Sequence, residues 1–228
     1  MGARAGGMTE VENVLWRPIE PLFSRILAHP FLTGLADGTL PEASFRHYVE
    51  QDTLYLRSFA RGLALLGSRA ESDDALTLFC THAANAIAVE RELHKGFIEE
   101  WESDYDAVTE MDPAPNTLLY TSYLLRVAYE RPHYEGLGAF LPCYWIYREV
   151  GKALEGEGSP HALYQRWIAT YGGEEFGEVV DAVLGIMEET LKRLTAEQKS
   201  AVQRHFVQTS KLEYLFWDMG YERQTWPV

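Results

Sequence analysis

Leu141-Pro142-Cys143-Tyr144-Trp145-Ile146-Tyr147 lies in a run of helix formers that Pro142 interrupts, and one of the chain's two cysteines follows the proline at once. Cys143 and Tyr147 are four residues apart, so on a helix they share a face, one turn from each other. A thiol in the first turn after a helix-opening proline feels the positive end of the helix dipole, which favours thiolate over thiol. The segment has two readings. Cys143 is an attacking group among aromatic rings, or it is a small core hydrophobe, as isolated cysteines commonly are.

Working outward, nearly every segment carries the helical period, and alternating β-branched runs are absent. A first helix is expected over about 11–29, with Pro18 and Pro21 near its start, where proline is tolerated. A turn through Phe31 and Gly38 leads to the helix-start signal Thr39-Leu40-Pro41-Glu42, and that helix runs to about Gly67. Ser72-Asp73-Asp74 opens another that reaches Trp101. Asp112-Pro113-Ala114-Pro115-Asn116 is the clearest loop. Behind it come a helix through Tyr129 and the opening segment's helix, about 135–154. Gly156 to Pro160 breaks that helix, and His161 to Tyr171 is stopped by Gly172-Gly173. Two closing helices cover about 174–194 and 196–221, with Thr195 as N-cap of the last. The fold expected is all-α: a single-domain bundle of about eight or nine helices over residues 8–228. The glycine-rich stretch Met1–Gly7 reads as a flexible N-terminal extension, with Met8 a plausible start.

A chain of 228 residues can bury one sizeable core. Its hydrophobic fraction of 46% is ordinary, whereas 13% aromatic is more than core filling needs and suggests a pocket for a flat ligand. A net charge of −14 argues against nucleic acid and against an anionic membrane surface. No apolar run reaches the roughly 18 residues of a spanning helix. With no signal peptide, a reduced cytoplasmic setting is expected. Cys80 and Cys143 have neither zinc-site nor redox-pair spacing.

Several helices carry polar or aromatic groups in same-face pairs where aliphatics would serve a structural helix better. Asp52 pairs with Tyr55, Tyr120 with Tyr123, Cys143 with Tyr147, and Glu213 with Phe216 and Trp217; Tyr164, Trp167 and Tyr171 add a stripe. Singly, each is readable as a solvated charge or a core rim with wet hydroxyls. Together, a thiol, two carboxylates and several phenols on apolar helices fit a pocket, because buried carboxylates without cationic partners are costly unless they bind something. A metal site is the competitor. Bundles hold di-iron through paired Glu-x-x-His sets, but Glu90 and His94 form one Glu/His pair with no second set, so no metal and no cofactor is expected.

In their order along the chain, Gln51-Asp52-Thr53-Leu54-Tyr55-Leu56, Leu141 to Tyr147 with Glu149-Val150-Gly151, Trp167 to Gly172 with Glu175-Phe176, and Glu213 to Met219 resemble the TenA family of thiaminase II enzymes. The resemblance runs from about Trp16 to Pro227 and implies the haem-oxygenase-like helical fold. It also implies an aminopyrimidine aminohydrolase of thiamin salvage, which hydrolyses the exocyclic methylene bond of an aminomethyl pyrimidine, or of thiamin, to the hydroxymethyl pyrimidine. Cys143 is then the nucleophile, Glu213 the acid/base group at the ring nitrogen, and Asp52 the group at the amidine edge. Tyr55, Tyr120, Tyr147, Tyr171 and Phe216 line or orient the pocket. The family also implies a homotetramer.

The chemistry suits those roles. Protonating a ring nitrogen makes an aminopyrimidine more electron-poor, so a thiolate adds to a ring carbon and the electron-rich adduct expels the group on the methylene. Water adds to the exocyclic carbon and the thiolate departs, which splits one hard displacement into easier steps. Burial raises a glutamate toward the pKa such an acid needs. Either Tyr120 or Tyr147 is placed to hydrogen-bond the thiol. Two other readings stand beside this one: an oxidase of the same fold, di-iron or pyrroloquinoline-quinone-synthase-like, and a non-catalytic pyrimidine-binding regulator.

Overall fold

The computed structural model describes residues 8–101, 104–156 and 158–228, without the side chains of residues 89–95 and 99. The expected extension over 1–7 and the Glu90/His94 pair lie outside these. Among the described residues ten α-helices are formed: α1 Glu20–Leu27, α2 Pro30–Asp37, α3 Glu42–Ser68, α4 Asp73–Glu100, α5 Tyr105–Thr109, α6 Pro115–Glu130, α7 His133–Glu155, α8 Ala162–Gly172, α9 Glu174–Leu191 and α10 Ala196–Glu222. The described residues contain no strand, and no helix among them is long and apolar enough to cross a membrane.

Helix α7 is the axis of the bundle. It packs against α6, α8, α9 and α10, while α3 packs against α4, α6 and α10. A helix covered on all sides must be apolar all round, and every residue from Gly136 to Arg148 is buried except one, Cys143. Pro142 lies inside α7, the helix continuing through it. The helix expected over about 135–154 is formed, and what is corrected is the placing of Cys143 in a first turn after the proline, near the positive end of a helix dipole. An internal proline costs a backbone hydrogen bond and about 3 kcal/mol, and packing from four neighbouring helices offsets that cost. Cys143 therefore sits mid-helix, far from a helix N-terminus, and the dipole gives it no first-turn stabilisation.

The ten slightly exceed the eight or nine expected because α2 and α5 are too short to show a helical period. The expected helix over 11–29 is a π turn over Glu12–Trp16, a 3-10 turn over Arg17–Ile19 and then α1, with Pro18 and Pro21 each in an opening turn. After it α2 starts at Pro30, where the His29 ring accepts from Phe31 N at 3.1 Å as an N-cap. Gly38 closes α2 in the left-handed region (φ 79°). Thr195 caps α10 as expected and forms a full capping box with Gln198.

Close approach of α7 and α8 fixes one wall of the site. A Cβ on Gly151 would stand 2.4 Å from the Gly172 nitrogen and the Tyr171 carbonyl carbon, so only glycine lets the two backbones meet there. The Tyr171 ring consequently lies 4.9 Å from that of Tyr147.

Candidate functional site

A cavity of about 210 Å³ opens beside α7. Its wall on α3 is a stripe at three- and four-residue spacing, Asp52, Leu56, Phe59 and Leu63, as one helix face requires. Helix α7 adds Cys143, Tyr144 and Tyr147; α8 adds Thr170 and Tyr171; α9 adds Phe176 and Val179; α4 adds His82, Asn85 and Ala86. The exposure Cys143 retains is thus exposure to the cavity.

Asp52 and Glu213 are buried, at 3% and 1% exposed. The carboxylates of both act on the thiol, and Asp52 acts on Glu213. The three groups come from α3, α7 and α10 and converge on one place. Tyr55, Tyr120, Phe216 and Glu213 stand behind the wall rather than in it. Tyr120 donates to Glu213 Oε1 at 2.7 Å, and Tyr55 packs on Tyr120 and Phe216 with ring centroids 4.9 and 5.4 Å apart. Tyr147 shares a 3.1 Å hydroxyl–hydroxyl hydrogen bond with Tyr48. Tyr123, the partner expected on Tyr120's face, turns away and bonds His205 Nδ1 at 2.7 Å. In the α8 stripe Tyr164 donates to the Leu40 carbonyl at 2.7 Å and leaves Tyr171 alone at the cavity.

Burial dominates the electrostatics. It pushes the Glu213 carboxyl up to about 8; the Tyr120 hydrogen bond opposes this and the Asp52 charge adds to it. It also holds the Cys143 thiol well above its usual range, helped by negative charge on Glu213 and opposed by the nearby Tyr55 hydroxyl. Sequence reasoning expected a favoured thiolate, and the burial of α7 overturns that. The tyrosine beside the thiol is Tyr55 rather than Tyr120 or Tyr147, whose hydroxyls are engaged by Glu213 and Tyr48. The Tyr55 hydroxyl approaches the sulfur without a well-aligned hydrogen bond.

Sequence reasoning missed Tyr48, Tyr144 and the whole α4 wall. Tyr48 stands four residues before Asp52 on the same face, a spacing that was available. His82 and Asn85 are likewise three apart, but in an alanine-rich stretch with no thiol or acid on the same helix face they carried no signal.

A family model described as TENA/THI-4/PQQC matches residues 16–223. The chain belongs to that family. It is 33% identical over 214 residues to the aminopyrimidine aminohydrolase of Halalkalibacterium halodurans, covering 93% of this chain and 96% of the relative. It is 35% identical over 198 residues to the aminopyrimidine aminohydrolase of Bacillus subtilis, covering 87% and 84%. A TenA family transcription regulator from Silicibacter sp. TM1040 superposes with a TM-score of 0.86 at 30% identity, over 93% of this chain and 97% of that one. A domain of unknown function with a heme oxygenase-like fold from Shewanella denitrificans superposes with a TM-score of 0.73 at 17% identity, over 95% and 94%. The fold is therefore the haem-oxygenase-like one.

Proposed function

We propose that this chain is an aminopyrimidine aminohydrolase of thiamin salvage that converts 4-amino-5-aminomethyl-2-methylpyrimidine to the hydroxymethyl pyrimidine through a covalent adduct on Cys143. The observation that carries the reading is a carboxyl with a pKa of about 8 buried just behind an aromatic cavity whose wall holds a thiol and a second carboxyl. Near neutral pH Glu213 holds a proton and Tyr120 donates to its other oxygen, which is the state a general acid for a ring nitrogen requires. Because burial keeps Cys143 as a thiol, attack and ring protonation are coupled. The sulfur adds to a ring carbon, the ring nitrogen gains a proton from Glu213, and the thiol proton replaces the one Glu213 gave. The electron-rich adduct then expels the methylene substituent, carried as its ammonium form, as ammonia. Water adds to that carbon and passes its extra proton to the ammonia; the ring N–H proton returns to Glu213 as Glu213 protonates the departing sulfur, and the aromatic ring is restored. Asp52 accepts from the exocyclic amine at the ring's amidine edge. Tyr147 and Tyr171 supply faces and edges for a flat ring, Phe216 backs Tyr55, and Tyr55 steadies the sulfur.

The family description also spans a pyrroloquinoline-quinone branch, but a poly-anionic precursor needs cations. No lysine or arginine lines this cavity among the described residues. A pyrimidine-binding regulator is the second reading, favoured by the designation of the Silicibacter neighbour. One assay separates the two. Purified protein is incubated with the aminomethyl pyrimidine and the products are read by mass spectrometry. The enzyme yields hydroxymethyl pyrimidine, and Cys143→Ala lowers the rate by about three orders of magnitude or more. A regulator would bind and release the pyrimidine unchanged, and a Cys143→Ala rate equal to wild type would end the covalent proposal.

The reading treats residues 8–228 as one domain working in the cytoplasm as a homotetramer. Leu119 (53% exposed) and Tyr129 (69%) on α6 are apolar surface that an assembly would cover. Light scattering tests the tetramer.

A further inference from the structure

The cavity has two kinds of wall. One carries the thiol, Asp52 and the phenols. The other is α4, where Ala86 leaves space and His82 and Asn85 supply the polar atoms. Most polar side chains around the cavity are already engaged. Tyr147 is bonded to Tyr48, and the Thr170 hydroxyl donates to the Arg166 carbonyl at 2.9 Å. His82 is engaged on one side only: its Nδ1 meets the Tyr144 hydroxyl at 3.2 Å, and Nε2 has no partner among the described residues. The Asn85 amide has none there either, and it is exposed. Tyr144 in turn stands within the electrostatic reach of Cys143, so the α4 groups are linked to the reacting end of the cavity.

We infer that His82 and Asn85 receive the group leaving the exocyclic methylene and make the enzyme select leaving groups that carry N–H donors over ring cations that carry none. The inference rests on the hydrolase reading above and deepens it by assigning the residues that determine its specificity for the leaving group. With the pyrimidine ring held between Asp52 and Cys143, its methylene substituent has to extend toward a wall with unspent hydrogen-bonding capacity, and α4 is that wall. When Nδ1–H donates to Tyr144, Nε2 presents a lone pair; burial lowers the His82 pKa, and no carboxylate counters it, so the ring is neutral and able to accept. The Asn85 carbonyl is a second acceptor. An aminomethyl group brings N–H donors for both. A thiazolium has no N–H and is bulkier; its one donor, the hydroxyethyl O–H, lies across the ring from the methylene, so the acceptors nearest the methylene go unmatched. Failing to hydrogen-bond a sheltered acceptor is the costly kind of mismatch, which puts most of the discrimination on half-buried His82 and less on exposed Asn85.

The test is steady-state kinetics of wild type, His82→Leu, His82→Gln and Asn85→Leu with the aminomethyl pyrimidine and with thiamin. The expected result is a wild-type preference for the amine. His82→Leu lowers kcat/KM for the amine about tenfold and Asn85→Leu less, mainly through KM, and each loses clearly less on thiamin than on the amine. His82→Gln, which keeps an acceptor, recovers most of the loss. Equal losses on both substrates, no change on either, or a wild type that prefers thiamin would each overturn the inference while leaving the hydrolase reading intact. A wild type that turns over neither substrate would overturn the hydrolase reading and this inference with it.

Discussion

Replacing Tyr120 by Phe removes the one hydroxyl that donates to Glu213, at 2.7 Å, and the structure fixes the direction of the response. That hydrogen bond favours the ionised carboxyl and so works against the burial that raises it. Without it the Glu213 pKa climbs above its present value of about 8. A buried hydrogen bond contributes about 0.5–1.5 kcal/mol net, equivalent to about one pH unit. The assay is kcat/KM for the aminomethyl pyrimidine against pH. In wild type a general acid of pKa about 8 gives an alkaline limb that is half lost near that pH. Tyr120→Phe moves the limb toward about pH 9, and Glu213→Gln abolishes it together with most activity. Ionisation of the Cys143 thiol would make the rate rise with pH, so a falling limb identifies the acid rather than the nucleophile. Moving the carboxyl from 4.5 to about 8 also favours its protonated form by on the order of 5 kcal/mol. The raised folded-state value means the native chain keeps a proton that the unfolded chain sheds. The contribution is complete below pH 4.5 and declines as pH rises to about 8, so wild-type Tm should fall across that window relative to Glu213→Gln. A Tyr120→Phe limb that stays put or moves to lower pH would refute the reasoning.

The remaining predictions concern how the scaffold holds the site. Gly151→Ala forces a Cβ to within 2.4 Å of the α8 backbone at Tyr171 and Gly172; thermal unfolding should show a loss of about 1–3 kcal/mol, and kinetics a raised KM as the Tyr171 wall shifts. Thr195→Ala deletes the capping box at the start of α10, about 1 kcal/mol, and should lower Tm by about 2–4 °C with kcat/KM unchanged, because the cap is far along the helix from Glu213.

Long elements were legible in the sequence wherever one face stayed apolar for several turns. The helices ending near Ser68, Glu130 and Glu222 follow their expected boundaries within a residue or two. What failed was local chemistry. Pro142 read as an interruption that would put Cys143 in a first turn, and burial of α7 holds the helix through it. His29 caps α2 with its ring, a residue type that does not announce a helix start, and α5, at five residues, is shorter than any apolar period can reveal. The site shows the same division. The Asp52/Tyr55, Cys143/Tyr147 and Glu213/Phe216 pairs were visible because spacing on one helix is a property of the sequence. Which tyrosine meets the sulfur depends on how α3, α6 and α7 are set against each other. The contribution of α4 depends on packing alone, as does the reversal of the Cys143 expectation from thiolate to thiol.

The central claim is that one flat ring is held at once by the sulfur of Cys143, the carboxylate of Asp52 and the acid of Glu213. A crystal structure of Cys143→Ser soaked with the hydroxymethyl pyrimidine tests it most directly. The account predicts the ring in the α7 cavity, a ring carbon facing the serine hydroxyl, the amine on Asp52 and a ring nitrogen on Glu213. Density for the pyrimidine outside that cavity, or with its amine edge turned away from Asp52, would contradict it.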